Sequence, residues 1–260
     1  MLHYETSGNG KENLVLLHGF MENLEIWKFL EPHLSDKFKI IKIDLPGHGK
    51  SLDYGEINSM EMMAKEVEKV ISELNLDKIH LLGHSMGGYV SLAFAELFPD
   101  KLKSITLFFS TFLADDEEKK EVRRKSFRII KDAFVHYINV GIPNLFNPNE
   151  KNILEGKINF AREIALSTNN SSVLAAVKGM IERTDKLQML ENLDAKIVVI
   201  CGKHDSAVNT EKTLKNLPEK TTVKSYVLDC GHNGHLEKPE ICAAIINTEL
   251  LHDLPKHLIF

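Results

Sequence analysis

The chain has 260 residues, of which 43% are hydrophobic and 27% are charged, and its formal net charge is −5. This composition suits a globular domain with a sizeable core, and it excludes the strongly basic face that nucleic-acid-binding proteins use. Uncharged apolar stretches such as Ser104–Leu113 fall well short of the roughly 20 residues that cross a bilayer, so we expect no membrane span.

The amino terminus lacks the basic and apolar regions of a secretory signal. The three cysteines, Cys201, Cys230 and Cys242, form no C-x-x-C pair. This pattern argues against a disulfide scaffold and against a thiolate metal site. We therefore expect a cytoplasmic protein.

Short apolar segments predict β-strands along the chain. Leu2–Thr6 alternates apolar and polar residues, a turn follows at Ser7–Gly10, and Leu14–Leu17 is fully apolar, so the first two strands are joined by a tight loop. Later strand segments are mostly β-branched or leucine-rich: Ile40–Asp44, Ile79–Leu82, Ser104–Phe108, Ile197–Cys201 and Val223–Leu228. Apolar residues on both faces are typical of parallel strands that are covered on both sides.

Apolar residues recur at helical spacing in the segments between the predicted strands. Ser59–Leu74 carries apolar residues at helical spacing, with Ser59 as a candidate N-cap. Further helices are predicted at Met86–Phe98, Thr210–Leu217 and Pro239–Leu251. The alternation predicts an α/β fold with a doubly wound, mostly parallel sheet.

The segment 112–190 interrupts this alternation with helical periodicity and almost no strand signal. We interpret it as an all-helical cap inserted between two parts of an α/β core, 1–111 and 191–260. Its charge cluster Asp115–Lys125 is interpreted as a solvated helix face. The sequence leaves the conformation of the tail Asp253–Phe260 open.

The motif Gly83–Gly87, GHSMG, matches G-x-S-x-G directly after a predicted strand and before a predicted helix. In that context Ser85 sits on a sharp strand-to-helix turn that exposes its hydroxyl. Serine is a weak nucleophile at neutral pH, so it needs a base, and the base needs an orienting carboxylate.

Asp205 and His232 meet these needs in the order serine, acid, histidine. Each follows a predicted strand, so both are expected at the carboxyl edge of the sheet with Ser85. Alternatives to these residues are His235 as the base, or as a residue that caps or contacts the last helix, Asp229 or Asp194 as the acid, and a metal site built from His232 and His235. We prefer the first set because Asp229 shares a loop with the base, Asp194 precedes its strand, and no metal-ligand motif accompanies the histidines.

Backbone N–H groups are required for the developing oxyanion. We predict Met86, the residue after the nucleophile, and Phe20, in the loop after the second strand. His18 is expected to brace that loop by hydrogen bonding, and Trp27 to pack in the core.

Four segments together resemble the α/β-hydrolase superfamily, in its small capped branch: Leu16–Phe20, Asp44–Ser51, Gly83–Gly88 and Gly231–Glu240. The resemblance covers nearly the whole chain outside the cap. It implies a Ser85–Asp205–His232 triad and a helical lid, and it requires no cofactor. Asp44–Ser51 is interpreted as a structural turn at the sheet edge.

These features predict a serine hydrolase that cleaves small or medium carboxylic esters through an acyl-enzyme on Ser85. The expected partner is a small ester-like molecule, with the oligomeric state left open. The same triad could serve C–C bond hydrolysis, lactone hydrolysis, perhydrolysis or an elimination of the menaquinone pathway. An anionic substrate would require an arginine of the cap that points into the pocket. A third alternative is a ligand receptor or regulatory protein that retains the triad with little turnover.

Overall fold

A computed structural model describes residues 1–251, and the tail Asp253–Phe260 lies outside the described residues. The chain forms seven strands in one sheet: β1 Tyr4–Ser7, β2 Glu12–Leu17, β3 Phe38–Ile43, β4 Ile79–His84, β5 Leu102–Phe108, β6 Lys196–Gly202 and β7 Val223–Leu228. Each predicted strand segment overlaps one of them.

The sheet order is β1-β3-β2-β4-β5-β6-β7, and β1 is the antiparallel strand of an otherwise parallel sheet. The predicted α/β class with a doubly wound, mostly parallel sheet is confirmed. Although β1 and β2 are consecutive, they are not neighbours, because β3 lies between them. The apolar residues of β2 are buried on both faces, whereas β1 is only partly buried, which suits an edge strand.

Helices connect the strands at the predicted places. The core helices are α1 Met60–Glu73, α2 Met86–Leu97, α8 Thr210–Lys215, α9 Gly234–Glu237 and α10 Pro239–Leu251. Ser59 is the N-cap of α1, as predicted, and its hydroxyl accepts a hydrogen bond from Met62 N–H at 3.2 Å. Within residues 1–251, none of the helices combines the length and the apolar character needed to cross a bilayer.

Five helices lie between β5 and β6: α3 Glu117–Asp132, α4 Phe134–Asn144, α5 Glu155–Leu166, α6 Asn170–Glu182 and α7 Leu187–Asn192. Most of α3 faces solvent, in agreement with the interpretation of the charge cluster. Asp115 differs from that interpretation, because it is 5% exposed and forms ion pairs with Arg123 and Arg183. The reason is tertiary: Arg183 follows α6, which packs on α3.

Candidate active site

Ser85 stands at the turn between β4 and α2. Its φ is 49° and its ψ is −113°, which places a non-glycine residue in the left-handed region. The turn depends on two glycines, since a Cβ on Gly83 would lie 2.2 Å from Gly87 O and one on Gly87 would lie 2.3 Å from Leu17 O. A sharp strand-to-helix turn of this kind is the backbone geometry that a nucleophile elbow requires, and it lies at the carboxyl edge of the sheet.

Asp205 lies in the turn after β6 with its carboxylate buried and fully hydrogen-bonded. Its Oδ1 accepts from the N–H groups of Ala207 and Val208, both at 2.8 Å, and its Oδ2 accepts from His232 Nδ1 at 2.8 Å. Burial raises the pKa of the Asp205 carboxyl, but the His232 interaction and the two N–H donors outweigh it, and the net pKa is lowered. An ionised Asp205 therefore orients a His232 ring that is protonated at Nδ1.

His232 follows β7, and both its backbone N–H and its backbone carbonyl are hydrogen-bonded. Its N–H donates to Leu145 O at 2.7 Å, and its carbonyl accepts from His84 Nε2 at 3.0 Å. The rings of His84 and His232 have their centroids 4.9 Å apart. The imidazole of His232 therefore lies beside the residue that precedes Ser85.

No hydrogen bond joins Ser85 Oγ to His232 Nε2 in the part of the chain that the structure describes. Catalytic hydrogen bonds in free enzymes are often long and tighten when the substrate binds. Proton transfer between Ser85 Oγ and His232 Nε2 requires that a hydrogen bond forms between them when the substrate binds.

The N–H groups of Phe20 and Met86 donate no hydrogen bond to any group of residues 1–251. Met86 is the first residue of α2, where N–H groups have no partner inside the helix. The loop that holds Phe20 touches this helix, because a Cβ on Gly87 would lie 2.6 Å from His18 O. Both donors are thus available to a ligand at the elbow.

His18 and Trp27 act as predicted. His18 Nδ1 donates to Gly19 O at 2.8 Å, and its Nε2 accepts from Leu45 N–H at 2.9 Å. Burial lowers the pKa of His18, in keeping with a neutral ring in these two roles. Trp27 is fully buried, with its ring centroid 6.1 Å from that of Phe108.

The other acids considered from the sequence lie elsewhere. Asp229 pairs with His204 Nε2 at 2.9 Å and its side chain is 72% exposed. Asp194 lines a cavity of about 870 Å³, together with His80 and Ser104 near the amino ends of β4 and β5. Since Ser85 follows the carboxyl end of β4, this cavity lies at the opposite edge of the sheet from the candidate site.

His235 is fully buried and contacts His84, with ring centroids 4.4 Å apart, rather than capping the last helix. Glu22, His84 and His235 each bring one potential metal-ligand atom within 4.8 Å of the others. However, His84 Nδ1 lies 2.9 Å from Glu22 Oε2, and His84 Nε2 faces the His232 carbonyl. A ring that faces acceptors at both nitrogens has no lone pair to offer, so we interpret the cluster as an ion pair rather than a metal centre.

Two glutamates were not predicted from the sequence. Glu22 accepts from Gly19 N–H at 2.5 Å in the loop after β2. Glu237 accepts from Gly231 N–H at 3.0 Å and from Asn147 N–H at 3.0 Å, and so links the His232 loop to the helical segment. In the sequence, Glu22 lies two residues after the HGF motif and Glu237 lies within the HLEKPE motif, and neither position indicates a role.

The turn Asp44–Ser51 has the predicted structural role. The buried Asp44 carboxylate accepts from Leu24 N–H at 2.8 Å and from Lys50 N–H at 2.9 Å. These contacts tie the end of β3 to the 3₁₀ helix Leu24–Phe29.

Two arginines of the segment 112–190 share one carboxylate. Arg123 Nε and Arg183 Nη2 each lie 2.6 Å from an oxygen of Asp115. Burial raises the pKa of Asp115, but the two guanidinium charges outweigh it and the net pKa is lowered. Arg183 also stacks 4.0 Å over the ring of Tyr89, one turn along α2 from Ser85.

Comparisons with known proteins agree with this fold. Residues 12–126 match the family described as alpha/beta hydrolase fold. The chain is 30% identical over 259 residues to a protein of Bacillus subtilis (strain 168) that is provisionally named a 2-succinyl-6-hydroxy-2,4-cyclohexadiene-1-carboxylate synthase, covering 93% of this chain and 91% of that protein.

A thermophilic esterase from Thermogutta terrifontis, solved with malate bound, is similar in structure. The TM-score is 0.89 at 31% identity, over 96% of this chain and 93% of that one. A shorter match is 38% identical over 112 residues to a dihydrolipoyllysine-residue acetyltransferase component of an acetoin cleaving system from Pseudomonas putida, and spans 30% of that protein's length.

Proposed function

The chain belongs to the α/β-hydrolase family, and on that premise we propose that it is a serine hydrolase of small or medium carboxylic esters. The observation that carries the proposal is the hydrogen bond from His232 Nδ1 to Asp205 Oδ2, 2.8 Å long, beside a serine held at positive φ. This combination would supply a base with a set tautomer for a serine that is only partly buried.

In the proposed mechanism, Ser85 Oγ attacks the ester carbonyl carbon while His232 Nε2 takes the hydroxyl proton. The carbonyl oxygen becomes an oxyanion that accepts from the N–H groups of Phe20 and Met86. The intermediate collapses, the C–O bond to the alcohol breaks, and the His232 imidazolium protonates the leaving alcohol. Asp205 stabilises the imidazolium throughout.

Water then completes the cycle. His232 accepts a proton from water as the water oxygen attacks the acyl carbon, and the proton returns to Ser85 Oγ as the acid leaves. The net reaction converts one ester and one water into one acid and one alcohol. We further propose that segment 112–190 forms the cap over this site, since Leu145, directly after α4, accepts a hydrogen bond from the N–H of the base His232.

The test is a panel of p-nitrophenyl esters of graded acyl length, combined with an organophosphonate that tags the active serine for mass spectrometry. Wild type should turn over repeatedly and carry the tag on Ser85, whereas Ser85→Ala should lose several orders of magnitude in kcat. Full esterase activity in Ser85→Ala would contradict the proposal. One slow turnover with altered binding of another protein would favour the receptor alternative.

A second candidate function is an elimination on an anionic substrate. It is favoured by the synthase relative and by the pair Arg123 and Arg183, whose two positive charges share, within residues 1–251, the single carboxylate of Asp115. Elimination forms no acyl-enzyme. Trapping an acetylated Ser85 after mixing with p-nitrophenyl acetate therefore supports the esterase, and its absence alongside turnover of a succinylated cyclohexadiene carboxylate supports the alternative.

A further inference from the structure

Glu22 and His84 form a buried pair at the centre of the candidate site. Glu22 Oε2 lies 2.9 Å from His84 Nδ1, and the two side chains are 12% and 1% exposed. Neither residue is a member of the proposed triad. Their contacts nevertheless reach the segments that carry Phe20, Ser85 and His232.

Three segments meet at this pair. Glu22 accepts from Gly19 N–H at 2.5 Å, next to the proposed oxyanion donor Phe20. His84 precedes Ser85 in the chain, and its Nε2 lies 3.0 Å from the carbonyl oxygen of His232. The pair therefore joins the oxyanion loop, the elbow and the loop of the base through one continuous hydrogen-bonded chain.

The charge state follows from this network. A carbonyl oxygen can only accept, so His84 Nε2 must donate to His232 O. Burial disfavours both charges, but the attraction between the groups outweighs it, lowering the pKa of Glu22 to about 2 and raising that of His84. Because each nitrogen of His84 faces an oxygen acceptor, the imidazolium form, which donates at both, satisfies this geometry best.

Close packing around Glu22 and His84 restricts their side chains to one arrangement. A Cβ on Gly19 would lie 2.8 Å from both Glu22 Oε2 and His84 Nδ1. Trp27 and His235 pack against the His84 ring, with centroids 6.4 Å and 4.4 Å away. A buried, paired charge in close-packed surroundings resists displacement, because leaving either partner unpaired costs several kcal/mol.

We propose that Glu22 and His84 are positioning residues that hold the oxyanion donor Phe20, the nucleophile Ser85 and the base His232 in register. The inference rests on the proposed function. It adds an ion pair that touches neither substrate nor reacting atoms and acts through the backbone of the groups that do. A displacement of about 1 Å in such a constellation can lower the rate about 10²-fold.

The experiment compares Glu22→Gln, Glu22→Ala and Gly19→Ala with wild type. For each, kcat and KM are measured with p-nitrophenyl acetate, together with the rate at which an organophosphonate tags Ser85 and the thermal unfolding midpoint. Glu22→Ala should lower kcat and the tagging rate by about 10²-fold with little change in KM. Glu22→Gln should fall between it and wild type, because an amide oxygen still accepts from Gly19 N–H. Gly19→Ala should also lower kcat, since its methyl displaces the pair.

The matched control is Glu31→Gln, which breaks the Glu31–Lys42 ion pair of 2.9 Å between a 3₁₀ helix and β3. Glu31→Gln should keep wild-type kcat even where its unfolding midpoint falls as far as that of Glu22→Gln. This comparison separates positioning from loss of stability. If Glu22→Ala does not fold, Glu22→Gln and Gly19→Ala decide the question.

Two failures can be told apart. If wild type reacts with the phosphonate and the folded Glu22 and Gly19 variants react as fast, the positioning role is wrong and the hydrolase proposal stands. If wild type neither reacts with the phosphonate nor hydrolyses any ester of the panel, the proposed function fails and the positioning role fails with it.

Discussion

Asp205 Oδ2 accepts a hydrogen bond from His232 Nδ1 at 2.8 Å, although the two residues stand 27 positions apart. Strands β6 and β7 are parallel neighbours, so the loops after them emerge side by side at the same edge of the sheet. Asp205 also accepts hydrogen bonds from two backbone N–H groups, and these fix its carboxylate before any substrate binds. The orientation of the His232 ring is thus set by the fold.

Replacing Asp205 by asparagine tests that orientation. An asparagine side chain presents an N–H or a neutral oxygen to His232 Nδ1, which favours the wrong tautomer and does not stabilise the imidazolium. We expect kcat for p-nitrophenyl esters to fall by about 10⁴-fold, measured in steady state. The control is Asp229→Asn, whose exposed carboxylate pairs with His204. Equal losses in both variants would contradict the assignment of Asp205.

The Glu22–His84 pair predicts a pH window of stability. The lowered pKa of Glu22 contributes stability above its ordinary value of 4.5, and this is lost as pH falls toward about 2. The raised pKa of His84 contributes stability below its ordinary value of 6.5, and this is lost as pH rises through the raised value. The difference in unfolding free energy between wild type and Glu22→Gln should therefore be largest from pH 4.5 to 6.5.

Denaturant unfolding at intervals from pH 3 to pH 9 measures this difference, and ~1 kcal/mol is resolvable by linear extrapolation. Glu240→Gln serves as the control and should follow the wild-type curve, since its side chain is 72% exposed. A difference that stays constant over the whole range would contradict the buried ion pair.

Glu237 is expected to hold the His232 loop against the end of α4. Removing its carboxylate leaves the buried N–H groups of Gly231 and Asn147 without their acceptor. Glu237→Ala should lower the unfolding free energy by about 1–3 kcal/mol for each unpaired donor. Glu240→Ala, an exposed glutamate three residues later, should leave the stability within about 0.5 kcal/mol. A stable Glu237→Ala would show that water replaces the lost acceptor.

The Asp115 pairs are expected to anchor the cap. Arg123 lies on α3 and Arg183 follows α6, so Asp115→Ala removes the carboxylate that pairs with the partly buried guanidinium of Arg123 and the buried guanidinium of Arg183. Breaking a buried pair costs about 3–5 kcal/mol, which calorimetry or denaturant unfolding detects. Glu118→Ala, on the exposed first turn of α3, is the matched control. An effect of Asp115→Ala no larger than that of the control would assign the cluster to the surface.

Local patterns predicted much of this protein. Apolar runs located the central strands, because a strand buried on both faces is apolar at odd and even positions alike, and alternation of apolar and polar residues located the edge strand β1. The glycines of GHSMG located the elbow, because a Cβ at Gly83 or Gly87 would collide with backbone. The order of serine, acid and histidine selected Ser85, Asp205 and His232 as candidates, and the structure places the last two in hydrogen-bond contact.

Contacts between segments distant in the chain were not predictable in this way. In sequence, Asp115 belongs to a run of charged residues that is typical of a solvated helix face. It is buried because α6 packs on α3. Likewise, the sequence predicted β1 and β2 but did not place β3 between them.

The sequence by itself determined the alternation of strands and helices and the residue types at the ends of three strands, since these depend on neighbouring positions and local sterics. The tertiary structure decided that Glu22 meets His84 across 62 positions, and that His84 in turn holds the carbonyl of His232 across 148. The physical reason is that this carboxylate and this imidazole form a buried ion pair only because the fold brings them together and excludes water. Local sequence patterns do not reveal which distant side chains will share such an environment.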